Sequence, residues 1–294
     1  MNTSPVYLKF TNETETHNGF KFKTGLNTDT NPFDPDPHHE CCPYGLHFTD
    51  TMNWGMWFDD ESAYVRKVTI PKRERKVTLE DKYRAHRIIL GTRHDLSKVA
   101  TWKWMVSKGV DVTVGDNAAV REASANGYLE VVKYLVFKGA DVTSRDNFAV
   151  RLASDYGHLD VVKYLVSKGA DVTACDNYAV RWASWNGHLD VVKYLVSKGA
   201  DVTADDNDAV QAASVNGCLD VVKYLVSLGA SVTASNNYAV RLASMNGHLD
   251  VVKYLVSKGA DVTAGYNRAV SVASEYGHLD VMKYLVSKGA ELPE

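Results

Sequence analysis

The sequence predicts a mainly α solenoid of short stacked helix pairs, preceded by a small α+β N-terminal domain. Three observations carry that prediction. The thirty residues Asp171 to Ala200, DVTACDNYAVRWASWNGHLDVVKYLVSKGA, recur without a gap, with copies beginning at Asp111, Asp141, Asp171, Asp201, Ser231 and Asp261. A fixed period of this size marks stacked supersecondary units. Within each copy the apolar residues fall three and four apart, the period of a helix face. Residues 1–79 show no such repeat and hold short β-branched or aromatic runs broken by proline, the pattern of strands and loops.

Taken in order, VYLKF, FKFKTG, GLHFT and YVRKVTI each read as a strand. NPFDPDPHHE, residues 31–40, holds three prolines in six residues; proline has no N–H to give a helix or a central strand, so this is an extended surface loop. PKRERK, residues 71–76, is a second loop. AHRIIL, residues 85–90, fits either a last strand or the first helix of a degenerate repeat, and the succession Ile88, Ile89, Leu90 favours a buried strand. Asp95 or Ser97 can then cap a helix over VATWKWMVSKG. Its Trp102, Met105, Val106 and Gly109 are in register with Val132, Leu135, Val136 and Gly139, which makes it a half-repeat. The expected divisions are 1–94 for the leading domain, 95–110 for the half-repeat and 111–294 for six repeats.

Each repeat reads residue by residue. Asp176 and Asn177 precede an apolar run, where an Asx side chain can accept from the free N–H groups of a first helical turn. A short helix is expected over Tyr178 to Asn186, and Gly187 supplies a left-handed residue for the reversal. In the second helix Leu189, Val192, Leu195 and Val196 share a face, and Asp190, Lys193 and Lys198 fall elsewhere. Gly199 ends it, and Ala200 to Ala204 is a loop or turn into the next pair.

GHLDVVKYLVSKGADV resembles the second half of an ankyrin repeat, and the match recurs through every unit from about Asp111 to Ala290. The first half departs from that family's Thr-Pro-Leu-His run and 33-residue unit, since here YAVR stands in that place and the period is thirty. The resemblance implies an ankyrin-like stack of shortened units without long projecting fingers, with Asn177 and its equivalents taking over the capping that the family gives to threonine. The leading region, with HNGFKFKTGLN, CCPYGLHFT and RAHRIILGTRHDL, resembles the leader that precedes ankyrin arrays in proteins of giant, mimivirus-like viruses of amoebae. No activity is attached to that leader. The array closes on GAELPE, so the resemblance also implies that the C-terminal degradation-machinery adaptor of some poxviral ankyrin proteins is absent.

Composition narrows the classes. The net charge of -3 divides into +2 over residues 1–110 and -5 over the rest, too little to imply nucleic acid or an anionic membrane. No run approaches the twenty or so apolar residues of a membrane span, and the N-terminus lacks the basic start and apolar core of a signal peptide. A cytoplasmic protein is expected, in the host cell if the viral resemblance holds. Cys175 and Cys218 stand alone and read as free thiols.

Three groups of residues tempt a chemical reading. His38, His39, Glu40, Cys41, Cys42 and His47 are the metal-capable cluster, but adjacent ligands in extended chain point to opposite faces and the separated pairs of zinc sites are missing; no metal is expected. RKVTIPKRERK, residues 66–76, has six basic side chains and one acid, and fits a solvated strand end and loop better than a phosphate or import contact. His158, His188, His248 and His278 stand a full repeat apart, with Tyr128 and Cys218 replacing them elsewhere. The resemblance implies that they brace the turn between helices. No phosphate loop, nucleophile elbow or zinc-protease helix occurs in the array, so no catalytic or cofactor residue is expected there. A deep pocket lined by polar residues from 17 to 50 would favour an enzyme on the leader, and a filled, shallow domain would count against it.

The differences between repeats locate a candidate binding face. On a wheel of about 100° per residue, Ala179, Val180, Ala183 and Ser184 are nearly constant and share one arc. Tyr178, Trp182 and Trp185 vary freely and share the opposite one. The first column reads Ala118, Phe148, Tyr178, Asp208, Tyr238, Arg268; the second Glu122, Leu152, Trp182, Ala212, Leu242, Val272; the third Ala125, Asp155, Trp185, Val215, Met245, Glu275. The ankyrin resemblance places these on the concave side of a curved stack. The partner-binding candidates are Phe148, Leu152, Asp155, Tyr178, Trp182, Trp185, Asp208, Tyr238, Leu242 and Met245. For the middle column, packing between repeats is an equal alternative, because large apolar side chains are usually core. The expected function is a non-enzymatic scaffold that binds a protein, with no nucleic acid, membrane or cofactor. The alternatives are a leader enzyme of transferase type targeted by the repeats, and a self-associating part of a viral assembly.

Overall fold

A computed structural model describes residues 5–17, 19–36, 45–56, 58 and 61–292. The chain divides into two compact units, residues 1–123 with 128–144 and residues 124–127 with 145–294.

The first unit is strand-rich up to Asp95. Its strands are β1 (Tyr7–Thr11), β2 (Thr16–His17), β3 (Phe20–Lys21), β4 (Gly25–Thr28), β5 (Leu46–Asp50), β6 (Tyr64–Thr69), β7 (Lys76–Thr78), β8 (Tyr83–Ala85) and β9 (Arg87–Asp95). Seven of them form one sheet in the order β4-β9-β6-β1-β5-β8-β7, and β2 with β3 makes a small hairpin. The AHRIIL run is split: Ala85 ends β8, His86 is a bend, and Arg87 to Leu90 begin β9, in which Ile88 and Leu90 are buried while Ile89 faces out, because strand side chains alternate in direction. Phe22, Leu46, Phe48, Val68, Ala85, Ile88 and Leu90 make the core of the sheet.

The two pairings of β1 are unequal in length. β1 runs alongside β6 as far as Thr11↔Tyr64, but it pairs with β5 only at Tyr7↔Asp50 and Leu8↔Thr49, beyond which β1 and β5 part.

A second, aromatic cluster ties the half-repeat helix α1 (Val99–Ser107) to the sheet. The Trp102 ring stands edge-on to Trp54 at 5.9 Å and to Phe58 at 5.7 Å, and Phe10 closes the group. Both indole N–H groups are satisfied: Trp102 donates to Leu96 O at 2.9 Å and Trp54 to Asp111 O at 3.1 Å. The proline-rich loop has no regular structure over residues 31–36, and its remainder, with His38, His39, Glu40, Cys41 and Cys42, lies outside the described residues. Among the described residues no group of three or more His, Cys, Asp or Glu is placed to hold a metal ion.

The basic run 66–76 is not a single solvated patch. Arg66 is buried, with its guanidinium forked onto Glu15 at 2.9 Å and bonded to Gly91 O at 2.7 Å. Lys76 donates to Tyr7 Oη at 2.7 Å and lies over the Tyr83 ring. Strand alternation turned part of the run inward, where each charge needed a partner.

The repeats fold as six helix pairs: α2 (Val114–Ala125) with α3 (Leu129–Phe137), α4 (Ser144–Asp155) with α5 (Leu159–Ser167), α6 (Ala174–Trp185) with α7 (Leu189–Ser197), α8 (Ala204–Val215) with α9 (Leu219–Ser227), α10 (Ala234–Met245) with α11 (Leu249–Ser257), and α12 (Ala264–Glu275) with α13 (Leu279–Val286). Within the second unit α6, α8, α10 and α12 pack in succession, as do α5, α7, α9, α11 and α13. Val191, Val192 and Leu195 of α7 are fully buried, and so are Ala179, Val180, Ala183 and Ser184 of α6. The α6 residues are the arc the wheel predicts; in α7 Val191 joins Val192 and Leu195, whereas Leu189 and Val196 of the expected face are half-buried. No helix of the described residues is long and apolar enough to cross a membrane. Cys175 is exposed and Cys218 half-buried, both free thiols.

The helix start differs from the expected Asx cap. Cys175, Asp176 and Asn177 all have positive φ, 52°, 53° and 61°, so a single left-handed turn precedes the right-handed helix that begins at Tyr178. Asp and Asn tolerate this region better than most residues. The Asn177 side chain does not cap its own helix; its Oδ1 accepts the Asp201 N–H at 2.8 Å. The same bond joins Asn147 to Asp171, Asn207 to Ser231, Asn237 to Asp261 and Asn267 to Glu291. The asparagine is therefore an inter-repeat clip. The aspartate that opens five of the six units closes the turn that follows it: Asp171 accepts from the Thr173 N–H and Oγ1 at 2.8 and 2.7 Å, which holds its carboxyl below the usual range.

Candidate partner-binding face

Within the second unit the repeated histidines brace neighbouring pairs. His188 Nε2 lies 3.0 Å from Asp155 O, and His158, His248 and His278 reach Ala125, Val215 and Met245 carbonyls in the same way. A carbonyl only accepts, so the ring proton sits on Nε2. Cys218 holds the weaker place, its thiol 3.5 Å from Trp185 O. The structural role implied for these side chains is the one they have.

The first helices present their variable positions on the other side. Tyr178, Trp182 and Trp185 of α6 form a ring ladder, with centroids 5.5 Å and then 5.9 Å apart. All three are half-buried. Phe148 and Leu152 of α4 are half-buried as well, as are Leu242 and Met245 of α10, and Tyr238 is 39% exposed. The middle column is the most enclosed: Ala212 and Val272 are buried, and Trp182 Nε1 is buried without a hydrogen-bond partner among the described residues. Size decides here, since a small residue disappears between repeats and an indole at the same place protrudes.

The two acids of the face are tied down. Asp155 accepts from Asn186 Nδ2 at 2.7 Å, and burial, opposed by that bond, pushes its carboxyl up. Asp208 pairs with Arg181 at 3.0 Å, yet desolvation still outweighs the arginine and raises its carboxyl. Neither presents a free charge.

An arginine column went unread in the sequence. Arg151 lies 4.9 Å from both the Phe148 and the Tyr178 ring, a guanidinium between aromatic faces of adjacent repeats. Arg181 lies 5.6 Å from Tyr178 and 5.9 Å from Trp182, and Arg241 5.2 Å from Tyr238. The position is arginine in four units, Gln211 in the fourth and Ser271 in the sixth, and it belongs to none of the three columns singled out in the sequence. The available signal was their position three residues after an aromatic, where helical side chains meet. In the fourth unit Gln211 takes the place and donates to Asp206 O at 2.6 Å.

The face thus offers aromatic surface and arginines held flat against it, and no nucleophile paired with a base. It suits recognition of protein side chains, for which Tyr, Trp and Arg are the usual anchors.

Comparison with known proteins agrees with this geometry. The family model of ankyrin repeats matches three times, over residues 120–206, 150–236 and 209–293. An ankyrin repeat protein of Acanthamoeba polyphaga mimivirus is 36% identical over 135 residues, 44% of this chain and 66% of that protein. An uncharacterised protein of the same virus is 34% identical over 131 residues, 43% of this chain and 94% of that one. A second ankyrin repeat protein of that virus is 40% identical over 133 residues, 43% of this chain and 39% of that protein. Among solved structures, the human ASB11 ankyrin repeat domain superposes with a TM-score of 0.54 at 22% identity, covering 60% of this chain and 85% of that domain. At that identity the likeness concerns the fold.

Proposed function

We propose that this chain, which belongs to the ankyrin repeat family, is a non-enzymatic scaffold that binds a protein through the first-helix face of its second to fifth repeats. Ankyrin repeats generally mediate protein–protein interaction, and the viral origin of the relatives supports a host-cell protein as the partner. The supporting observation is the ladder of Tyr178, Trp182 and Trp185, flanked by Phe148 and Tyr238 and stiffened by Arg151 and Arg181. Rings already held by neighbouring guanidiniums lose little further freedom on binding, and preorganisation of that kind converts buried area into affinity.

Trp185 is the residue to remove. It is half-buried at the end of the ladder, whereas Trp182 also packs between repeats and Tyr178 holds Arg151 in place. Trp185→Ala is expected to melt within a few degrees of the parent. It should bind the protein captured from amoebal extract at least tenfold more weakly, about 1.4 kcal/mol. A folded Trp185→Ala that binds as tightly as the parent, measured by titration calorimetry with the purified partner, would move recognition to another surface.

A further inference from the structure

The arginines on the first helices of the second unit differ in what the next repeat lays against them. Arg181 meets a carboxylate, since Asp208, twenty-seven residues on, pairs with its Nε at 3.0 Å. Arg151 meets a ring, Tyr178, again twenty-seven residues on, and its Nη2 donates to Arg145 O at 3.1 Å. Arg241 meets neither. The residue twenty-seven on is Arg268, a second cation. Arg241 is half-buried with its guanidinium 5.2 Å from the Tyr238 ring, and it makes no hydrogen bond or ion pair among the described residues. Its Nε is buried without a partner, and Nη1 and Nη2 reach the surface.

Arginine is not deprotonated in proteins, so a half-buried guanidinium without an acceptor carries an unmet cost. No carboxylate of the adjoining units meets it. The turn that opens α10 holds Ser235, Asn236 and Asn237, and no acid. Asp208 is held by Arg181, Asp261 accepts from Thr263, and Asp205, Asp206 and Glu275 form no ion pair with Arg241. Residues 61–292 are all described, and the fifth unit lies well inside that span. A guanidinium lying against a ring keeps its edge for bonding, and that edge fits a carboxylate, which takes two parallel N–H bonds from it. Asp208 on Arg181 is a carboxylate on a ring-held arginine within the same face.

We infer that the partner is an extended acidic peptide segment that sets an aspartate or glutamate on Arg241 and an apolar side chain on the ladder of Tyr178, Trp182 and Trp185. This rests on the reading of the first-helix face as the binding surface, and it names the chemistry that the face selects. Packed helices stand about 8–10 Å apart, which puts the fifth unit about 16–20 Å from the third. An extended chain covers that in about five or six residues, so the acid stands that far from the apolar anchor.

The test is fluorescence anisotropy of the full chain with a labelled synthetic peptide of about thirteen residues. Phenylalanine and leucine stand at its centre and an aspartate pair near each end, so that either chain direction reaches Arg241. Its counterpart carries asparagine for every aspartate. The acidic peptide should bind tighter than the amide one by about tenfold or more. Arg241→Gln should abolish that preference, and the fold accommodates the change because Gln211 stands in the same place in the fourth unit. Arg241→Ser, matching Ser271 of the sixth unit, decides the matter if the glutamine variant does not fold. Trp185→Ala should weaken both peptides alike. If the two peptides bind equally and Trp185→Ala weakens both, the acid preference is overturned and the binding face stands. The inference is overturned as well if the Arg241 variants keep the preference, or if neither peptide binds, in which case the captured protein alone judges the face.

Discussion

The turn between the two helices of each repeat is held by a glycine for two separate reasons, and they can be measured apart. Gly157 has φ +78°, and a Cβ built on it would lie 2.6 Å from Nδ1 and 2.7 Å from Cε1 of His188. Gly277, the equivalent residue of the last pair, also has φ +78° but nothing within 4 Å. Gly277→Ala therefore carries the backbone penalty alone, about 1–2 kcal/mol. Gly157→Ala carries that penalty and, in addition, either the overpacking of the ring, about 1–3 kcal/mol, or loss of the His188 to Asp155 bond if the ring swings away, about 1 kcal/mol. The expected totals are roughly 2–5 against 1–2 kcal/mol. His188→Ala opens the space, so the double variant Gly157→Ala with His188→Ala should cost less than the sum of the singles by about 1–2 kcal/mol. Urea unfolding followed by circular dichroism reads all four proteins. Equal costs at Gly157 and Gly277, together with strict additivity of the pair, would refute the claim that the histidine of one repeat packs on the glycine of the one before.

Asn177 serves both its own left-handed turn and the next repeat. Asn177→Gly, which keeps the backbone and loses the acceptor for the Asp201 N–H, should cost about 1 kcal/mol, and Asn177→Ala about 1–2 kcal/mol more; an alanine variant as stable as the glycine one in urea unfolding would contradict the assigned φ. His47 sets an acid limit on the strand-rich region. Its folded value of about 4 lies below the ordinary 6.5, so the unfolded chain takes up the proton first. The stability it contributes is complete above about pH 6.5 and is lost as pH falls toward 4. Between pH 6.5 and about 5 the loss is about 1.5 kcal/mol, and His47→Asn should remove that slope from the pH dependence of urea unfolding; an unchanged slope would show that the imidazole is protonated in the fold.

The array was legible in the sequence because its structure is local. Leu189, Val192 and Leu195 fall on one helix face by spacing alone, and repetition tells each pair that its neighbour has a matching apolar face to cover it. The variable columns were legible for the same reason, since equal period means equal place in the stack, whereas the bracing role of the histidines came from the family resemblance. What the period cannot report is a bond between different positions of adjacent units. Asn177 looks like a cap for the helix it precedes, and only the packed array brings Asp201 N–H, twenty-four residues on, to its side chain. Arg151 likewise stands in none of the columns marked in the sequence, and only the packed array lays it against Tyr178 of the next unit. The strand-rich region was the least legible part. Four of its strands could be marked from β-branched and aromatic runs, but β1 joins β6 and β5, fifty to sixty residues away in part, through backbone bonds that any side chain permits. The parting of β1 from β5 depends on that register alone. It gathers Thr11, His47 and Thr49 into one cleft, and no spacing in the sequence foretells it, because a strand records which face each residue takes and not which strand will lie beside it.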